Sequence, residues 1–190
     1  VVFNEIMYHP AGTNEAAGEW VELQNQHAVD IDVSNWRLDG GIDFDFPEGT
    51  ILRAGGYLVI ASSPTNLAAA TGLTNVLGPF RNRLANGGDR LRLRNNDGRI
   101  INEVAYGVEG DWPVAPDGAG PSLTRRARNL PGADPATWTA SAQSGGTPGR
   151  DNFPVTTGAL VTTNRVLVPV NSDWRYDASG ANLGTAWRNP

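Results

Sequence analysis

GEWVELQN, residues 18–25, has the sequence pattern around which we expect the fold to be organised. Apolar and polar residues alternate along it, so Val21 and Leu23 would point to one side of a strand and Glu22 to the other. Before it, VVFNEIMYHP at residues 1–10 gives a second strand pattern, which stops at a proline. We therefore expect these stretches to form the opening strand pair of an all-β domain, with Val21 and Leu23 in its core.

Three carboxylates occur within this predicted strand pair: Glu5, Glu19 and Glu22. Catalysis by a pair of carboxyl groups needs a set separation and an environment that raises the pKa of one of them. The sequence indicates no pocket that would do so, and the alternation places Glu22 on the solvent side together with Trp20. We therefore expect a solvated strand face without catalytic residues. A loop from the region between Trp112 and Trp138 is expected to cover Trp20; the alternative is that this face is a partner site.

The composition favours many short secondary-structure elements and excludes several kinds of functional site. The 190 residues include 23 Gly, 13 Pro and no Cys, which excludes disulfides, thiolate catalysis and cysteine-bound zinc. The net charge of −5 argues against nucleic acid as the main partner, and all 15 basic residues are Arg. No apolar run reaches the ~20 residues of a membrane-spanning helix, so no membrane insertion is expected. Because the chain begins inside a strand pattern, we expect it to be a piece of a longer protein.

Turn signals and short alternating runs recur along the chain and predict a sandwich of antiparallel strands. Asp97-Gly98 separates two alternating runs, which is the pattern of a tight hairpin. PTNLAAATGL at residues 64–73 has a helical pattern, with Thr65 as a candidate cap and Gly72 as the stop. Elsewhere, strand patterns recur every ~8 to 12 residues. The expected fold class is therefore all-β, an antiparallel immunoglobulin-like β-sandwich with at most one short helix.

Arginines alternate with leucines in one predicted strand and form the main candidate binding site. Arg90, Arg92 and Arg94 would lie on one face of this strand, about 6.5 to 7 Å apart. Guanidinium groups at this spacing could grip a polyanion, such as a DNA backbone or an acidic glycan. The alternative is a solvated sheet face whose arginines pair with the many acids of the chain. The full candidate set is Arg81, Arg83, Arg90, Arg92, Arg94 and Arg99.

Four aspartates near predicted strand ends are candidate ligands for Ca²⁺: Asp30, Asp32, Asp43 and Asp45. Calcium takes six or more oxygen ligands, and the sequence has no EF-hand spacing to supply them. The alternative is that these aspartates stabilise turns. No cofactor is expected apart from this candidate calcium ion.

Taken in order, the motifs of the chain resemble the lamin tail domain: NEIMYHP, GEWVELQN, VDIDVSNWRLDGG, FPEGTILRAGGYLVIA, GGDRLRLRNNDGRIINEVAYG, GPSLTRR and TPGRDN. The resemblance covers residues 1–152 and implies an immunoglobulin-like sandwich that has no catalytic residues of its own. Bacterial versions of this family occur as modules of large secreted or surface proteins, often beside nucleases, phosphoesterases or adhesive domains. An extracellular or cell-surface location is therefore implied.

The resemblance implies a non-enzymatic interaction or attachment module. Its partners would be another protein, a cell-surface polymer or the neighbouring domains of the parent chain. The alternative is an accessory domain of an adjoining hydrolase, which binds a polyanionic or glycan substrate through the arginine-rich strand face. Residues 153–190 are expected to be a linker and the incomplete start of a second β module, because they resemble the opening of a galactose-binding-like jelly roll.

Overall fold

The computed structural model describes residues 1–126 and 131–154. Its strands are β1 (Val2–Met7), β2 (Trp20–Gln24), β3 (Ile31–Asp32), β4 (Arg37–Gly40), β5 (Ile42–Asp45), β6 (Ile51–Leu52), β7 (Tyr57–Ala61), β8 (Val76–Leu77), β9 (Arg81–Asn82), β10 (Gly88–Arg94), β11 (Ile100–Gly107), β12 (Pro121–Arg125) and β13 (Trp138–Ser144). Between them lie two α-helices, α1 (Glu15–Gly18) and α2 (Pro64–Thr71), and a 3-10 turn at Pro135–Thr137.

The strands form two sheets that pack against each other. One sheet has the strand order β13-β12-β1-β2-β7-β8, the other has the order β11-β10-β4-β5-β9, and β3 pairs separately with β6. Pairing between these strands is antiparallel except between β7 and β8. The expected fold class, an all-β immunoglobulin-like sandwich, is thereby confirmed.

One apolar cluster fills the space between the sheets, and a bulge in β1 shapes it. Phe3 and Ile6 both belong to this cluster although they are three positions apart. They can both face inward because the pairing of β1 with β2 shifts register between Phe3 and Glu5. The extra residue in the bulge is Asn4. The bulge therefore leaves Asn4 and Glu5, two adjacent polar residues, on the outer face of the sheet.

The predicted hairpin and the predicted end of α2 are confirmed, whereas the predicted start of α2 is wrong. β10 and β11 form the predicted hairpin across Asp97-Gly98, and Gly98 has a φ of +78° in the turn. α2 stops at the predicted residue, because Gly72 adopts the left-handed conformation at its end. The N-cap residue of α2 is Ser63 and not Thr65. The Ser63 side chain makes no capping hydrogen bond.

Two elements depart from the prediction. α1 is a second short helix of four residues, so the fold exceeds the expected single helix. β13 was not predicted, because its small residues Ala140, Ser141 and Ala142 have weak strand propensity. This strand is nevertheless paired with β12, and its Trp138 lies in the core between the sheets.

Residues Val1–Pro154 form one compact unit. Within the described residues, no helix is both long enough and apolar enough to cross a membrane. The prediction of a second β module concerns residues that, from 155 onward, lie outside the described residues.

Gly40 allows a direct test of the pairing between β4 and β10. Its φ is +112°, and a Cβ at this position would lie 2.0 Å from the carbonyl oxygen of Arg90. Gly40→Ala is expected to lower the free energy of unfolding, measured by urea denaturation, by at least about 2 kcal/mol. Gly55→Ala is the matched control. Gly55 has a φ of +65° but open space around its Cβ, so this variant should lose only about 1 kcal/mol. Equal losses in the two variants would contradict the observed pairing.

Candidate functional site

The outer face of the six-stranded sheet is the candidate site, because it gathers the carboxylates of the first two strands. At its apolar end, Trp20 packs with Met7, Val59 and Ala61 against Leu67 of α2. Its polar end is formed by Asn4, Glu5, Glu22, Gln24, Ser122 and Thr124. Residues 145–152, here called the strap, cross this polar end and bond to it.

Glu5 is fully buried and accepts four hydrogen bonds from the chain itself. Thr147 of the strap donates its backbone N–H to Oε1 at 2.8 Å and its hydroxyl to Oε2 at 2.9 Å. The hydroxyls of Thr124, at 3.1 Å, and of Ser122 also donate to Oε1. Burial raises the pKa of Glu5, whereas these hydrogen bonds act in the opposite direction. The four donors replace the water that an ionised carboxylate would otherwise need.

Glu22 lies directly across from Glu5 in the strand pairing and is also buried. Its Oε1 accepts a hydrogen bond from Asn4 Nδ2 at 2.7 Å, and its Oε2 accepts the Gly149 N–H at 2.5 Å. Burial raises the pKa of Glu22 to about 8, and the neighbouring charge of Glu5 adds to this rise. Glu22 accepts only two hydrogen bonds and has a pKa of about 8, so it is the member of the pair that holds a proton at neutral pH.

The two ends of the strap are fixed by Asn152 and Gly146. The Asn152 Nδ2 donates to the carbonyl oxygens of Arg125 at 3.2 Å and Asn4 at 3.3 Å, and its Oδ1 accepts from Asn4 Nδ2 at 2.9 Å. Gly146 has a φ of +79°, and a Cβ there would lie 2.8 Å from the Trp20 ring. Only glycine therefore lets the strap approach the sheet this closely.

Glu19, just before β2, holds a different segment in place. Its Oε2 accepts the Leu84 N–H at 2.9 Å, and its Oε1 accepts from Arg83 Nε at 3.2 Å. Burial raises its pKa, opposed by the hydrogen bonds from Leu84 and Arg83. Glu19 thus ties the segment between β9 and β10 to the start of β2.

These placements overturn the expectation of a solvated carboxylate face. The exposed fractions are 0% for Glu5, 1% for Glu19 and 0% for Glu22. The alternation places Glu22 correctly on the side away from the core, but the strap covers that side. Trp20 is covered by α2, Leu73 and Gly146. The predicted cover is wrong, because Trp112 and Trp138 pack against the main core instead.

The buried glutamate pair is unsuited to act on a substrate. Opposed carboxyl groups are the arrangement that retaining glycosidases use. A catalytic acid, base or nucleophile must, however, reach the substrate within hydrogen-bond distance. Glu5 and Glu22 have no exposed surface, and their oxygens already contact backbone, hydroxyl and amide donors of the chain. The pair therefore serves to fix the strap to the sheet.

The six candidate arginines do not form one continuous row. β4 and β5 lie between β9, which carries Arg81, and β10, which carries Arg90, Arg92 and Arg94. Carboxylate partners lie against five of the six: Asp45 against Arg81, Glu19 against Arg83, Glu103 against Arg90, and Asp39 against both Arg92 and Arg94. Arg99 follows the hairpin turn and is exposed.

Three arginines surround Asp39 on the outer face of the second sheet. Arg92 and Arg94 each donate through Nε to this carboxylate at 2.5 Å, and Arg37 lies 3.4 Å from it. Burial acts in the opposite direction, but the hydrogen bonds from Arg94 and Arg92 hold the pKa of Asp39 below its usual value. Three guanidinium groups therefore share one carboxylate, which leaves a local excess of positive charge on β4 and β10.

The four aspartates proposed as calcium ligands are not gathered into one site. Their hydrogen-bond partners are Arg53 and Ala54 for Asp30, Ser34 for Asp32, Asn82 for Asp43 and Arg81 for Asp45. Across residues 1–126 and 131–154, no three His, Cys, Asp or Glu side chains are grouped so that they could hold a metal ion. In this structure the four aspartates stabilise turns and strand edges.

A comparison with protein families gives a match over more than half of the chain. The model described as Lamin Tail Domain matches residues 1–108. No sequence among the curated proteins matches at a significant level. The family match ends directly after β11, so β12, β13 and the strap lie beyond it.

The proton on Glu22 makes stability depend on pH. Its pKa rises from 4.5 to about 8 on folding, so between these values the folded state holds a proton that the unfolded state releases. The free energy of unfolding is therefore expected to fall as pH increases through this window, by up to about 1.4 kcal/mol per pH unit. Glu22→Gln should flatten this slope, because the amide cannot ionise. Urea denaturation from pH 5 to pH 8 measures it.

Glu48→Gln is the matched control, because Glu48 is an exposed carboxylate. This variant should keep the slope of the wild type. The same slope in the wild type and in Glu22→Gln would show that Glu22 does not carry the proton.

Proposed function

The chain belongs to the lamin tail domain family, and from this membership we propose that it is a non-catalytic interaction module of a larger bacterial extracellular or surface protein. The family is immunoglobulin-like and non-catalytic, and its members are typically protein-interaction modules. The rigid sandwich would present its exposed surfaces to a protein or a cell-surface polymer.

The observation that carries this proposal is the closure of the carboxylate face. Glu5 and Glu22, the two carboxylates that face each other, are bonded to the strap and shielded from solvent. The polar groups of this face are thereby used for stability and not for contact with a substrate. What the domain offers to other molecules is the remaining surface.

A second candidate function is supported by the charges on β4 and β10. Arg37, Arg92 and Arg94 share Asp39, and their side chains are exposed by 56%, 32% and 20%. Partly exposed guanidinium groups in excess over carboxylates can bind sulfate or phosphate groups. The domain would then act as an accessory module that holds a polyanionic or glycan substrate for an adjoining hydrolase.

The interaction function predicts saturable binding without turnover. The immobilised chain is expected to retain a protein or polymer from cell-envelope preparations or culture medium of the host bacterium, with a binding curve that saturates. A phosphodiester with two phenyl groups and several aryl glycosides serve as test substrates for hydrolysis. Incubation with the free chain should leave them intact. Hydrolysis of either, or the absence of saturable retention from every preparation, would contradict the proposed function.

The polyanion alternative has its own test on immobilised heparin. Replacing Arg90, Arg92 and Arg94 together by Gln should lower the salt concentration needed for elution. The slope of log affinity against log salt should drop by about one for each arginine that contacts the polyanion. The control replaces Arg53 and Arg126 by Gln, since both are exposed and lie outside β10, and the change in elution is compared per arginine replaced. An equal change per arginine in the two variants would rule out the arginine face as the binding surface.

A further inference from the structure

A groove of about 810 Å³ lies over the apolar end of the outer sheet face, between the helices and the strap. The side chains of Met7 and Trp20 lie beneath its floor and are almost fully buried, and Leu67 and Ala70 of α2 line one wall. The opposite wall is formed largely by the strap. Its volume falls within the range of about 300 to 1,000 Å³ that is usual for ligand sites.

The residues around the groove differ in composition from the rest of the chain. Of the 18 lining residues only Arg150 is charged, whereas 18% of the whole chain is charged. None of the lining residues is acidic, although the chain carries a net charge of −5. The accessible apolar surface of the groove comes from Leu67 and Leu73, which are half-buried, and from the exposed Ala70, and its one positive charge comes from Arg150.

Arg150 is the polar feature that distinguishes this groove. Its Nη2 donates to Gln143 Oε1 at 2.7 Å, and within the described part of the chain no carboxylate pairs with it. Seven other arginines do have a carboxylate within 4.0 Å. A guanidinium group has five N–H donors in a planar fork, and a single amide partner leaves most of them free to bind a carboxylate.

Building on the proposed interaction function, we infer that this groove docks an extended, mainly apolar segment of a partner protein, and that an aspartate or glutamate side chain of the segment pairs with Arg150. Apolar side chains of the segment would cover Leu67 and Leu73, which are only partly buried at the edge of Trp20. The acidic side chain supplies the charge that the groove lacks. Such a pair, partly shielded by the segment, favours one register of docking over others.

Random linear peptides displayed on phage and selected on the immobilised full chain provide the probe. The selected sequences are expected to carry a single Asp or Glu among apolar residues. Synthetic copies should bind Ala70→Trp at least about tenfold more weakly than the wild type, because the indole would fill the groove. Ala69→Trp is the matched control, since Ala69 is also exposed on α2 but does not line the groove. It should bind like the wild type.

Arg150→Gln tests the charge pair. It should weaken binding several-fold, and the loss should disappear when the acidic residue of the peptide is replaced by its amide, as a double-mutant cycle requires. Arg126→Gln should have no effect, because Arg126 is exposed but lies outside the groove.

Three results would overturn the docking site. They are peptides that bind Ala70→Trp as tightly as the wild type, selected sequences without an acidic residue, and a selection that enriches no peptide. Each would leave the interaction function standing, because that function is tested separately by saturable retention from envelope preparations.

Discussion

The opposition of Glu5 and Glu22 across β1 and β2 is the constraint on which the outer layer of this domain depends. Both side chains are buried on the same face of one sheet, and two adjacent buried charges would be costly. The chain meets this constraint by placing a proton on Glu22 and by surrounding Glu5 with donors from β12 and the strap. The hydrogen bonds from the strap to Glu5 and Glu22 therefore both hold the strap on the sheet and supply donors to the buried carboxyl groups.

This arrangement divides the surface of the domain into parts with different uses. At the polar end of the six-stranded sheet, Glu5 and Glu22 accept hydrogen bonds from the strap. These carboxyl groups are therefore unavailable to ligands. Where the strap runs beside α2, it leaves a groove whose one charged lining residue is Arg150. The second sheet instead exposes ion pairs around Asp39. An interaction module of this kind would bind through the groove or through the arginine face, while the sealed face takes no part in binding.

The sequence predicts the features that depend on neighbours along the chain. The hairpin at Asp97-Gly98 and the end of α2 at Gly72 follow from turn and cap chemistry, and the sandwich follows from the alternating strands. The alternation of apolar and polar residues in GEWVELQN also predicts correctly that Glu22 lies on the face of the sheet away from the core. It could not show what covers that face, because Thr147 and Gly149 are more than a hundred positions away in sequence. The sequence offers one weak signal for this cover. Ser122 and Thr124 are hydroxyl side chains at alternate positions of GPSLTRR, and hydroxyl groups can donate to a buried acceptor.

Amide hydrogen exchange at Thr147 and Gly149 tests the dependence of the strap on the glutamate pair most directly. These N–H groups donate to the carboxylates of Glu5 and Glu22 and to no neighbouring strand. Near neutral pH, both amides are predicted to exchange only through global unfolding, with the same opening free energy as the central amides of β2. Exchange at the rate of an unprotected loop amide would contradict the claim that Glu5 and Glu22 hold the strap. The strap would then lie loosely on the surface, and the two glutamates would be accessible to solvent.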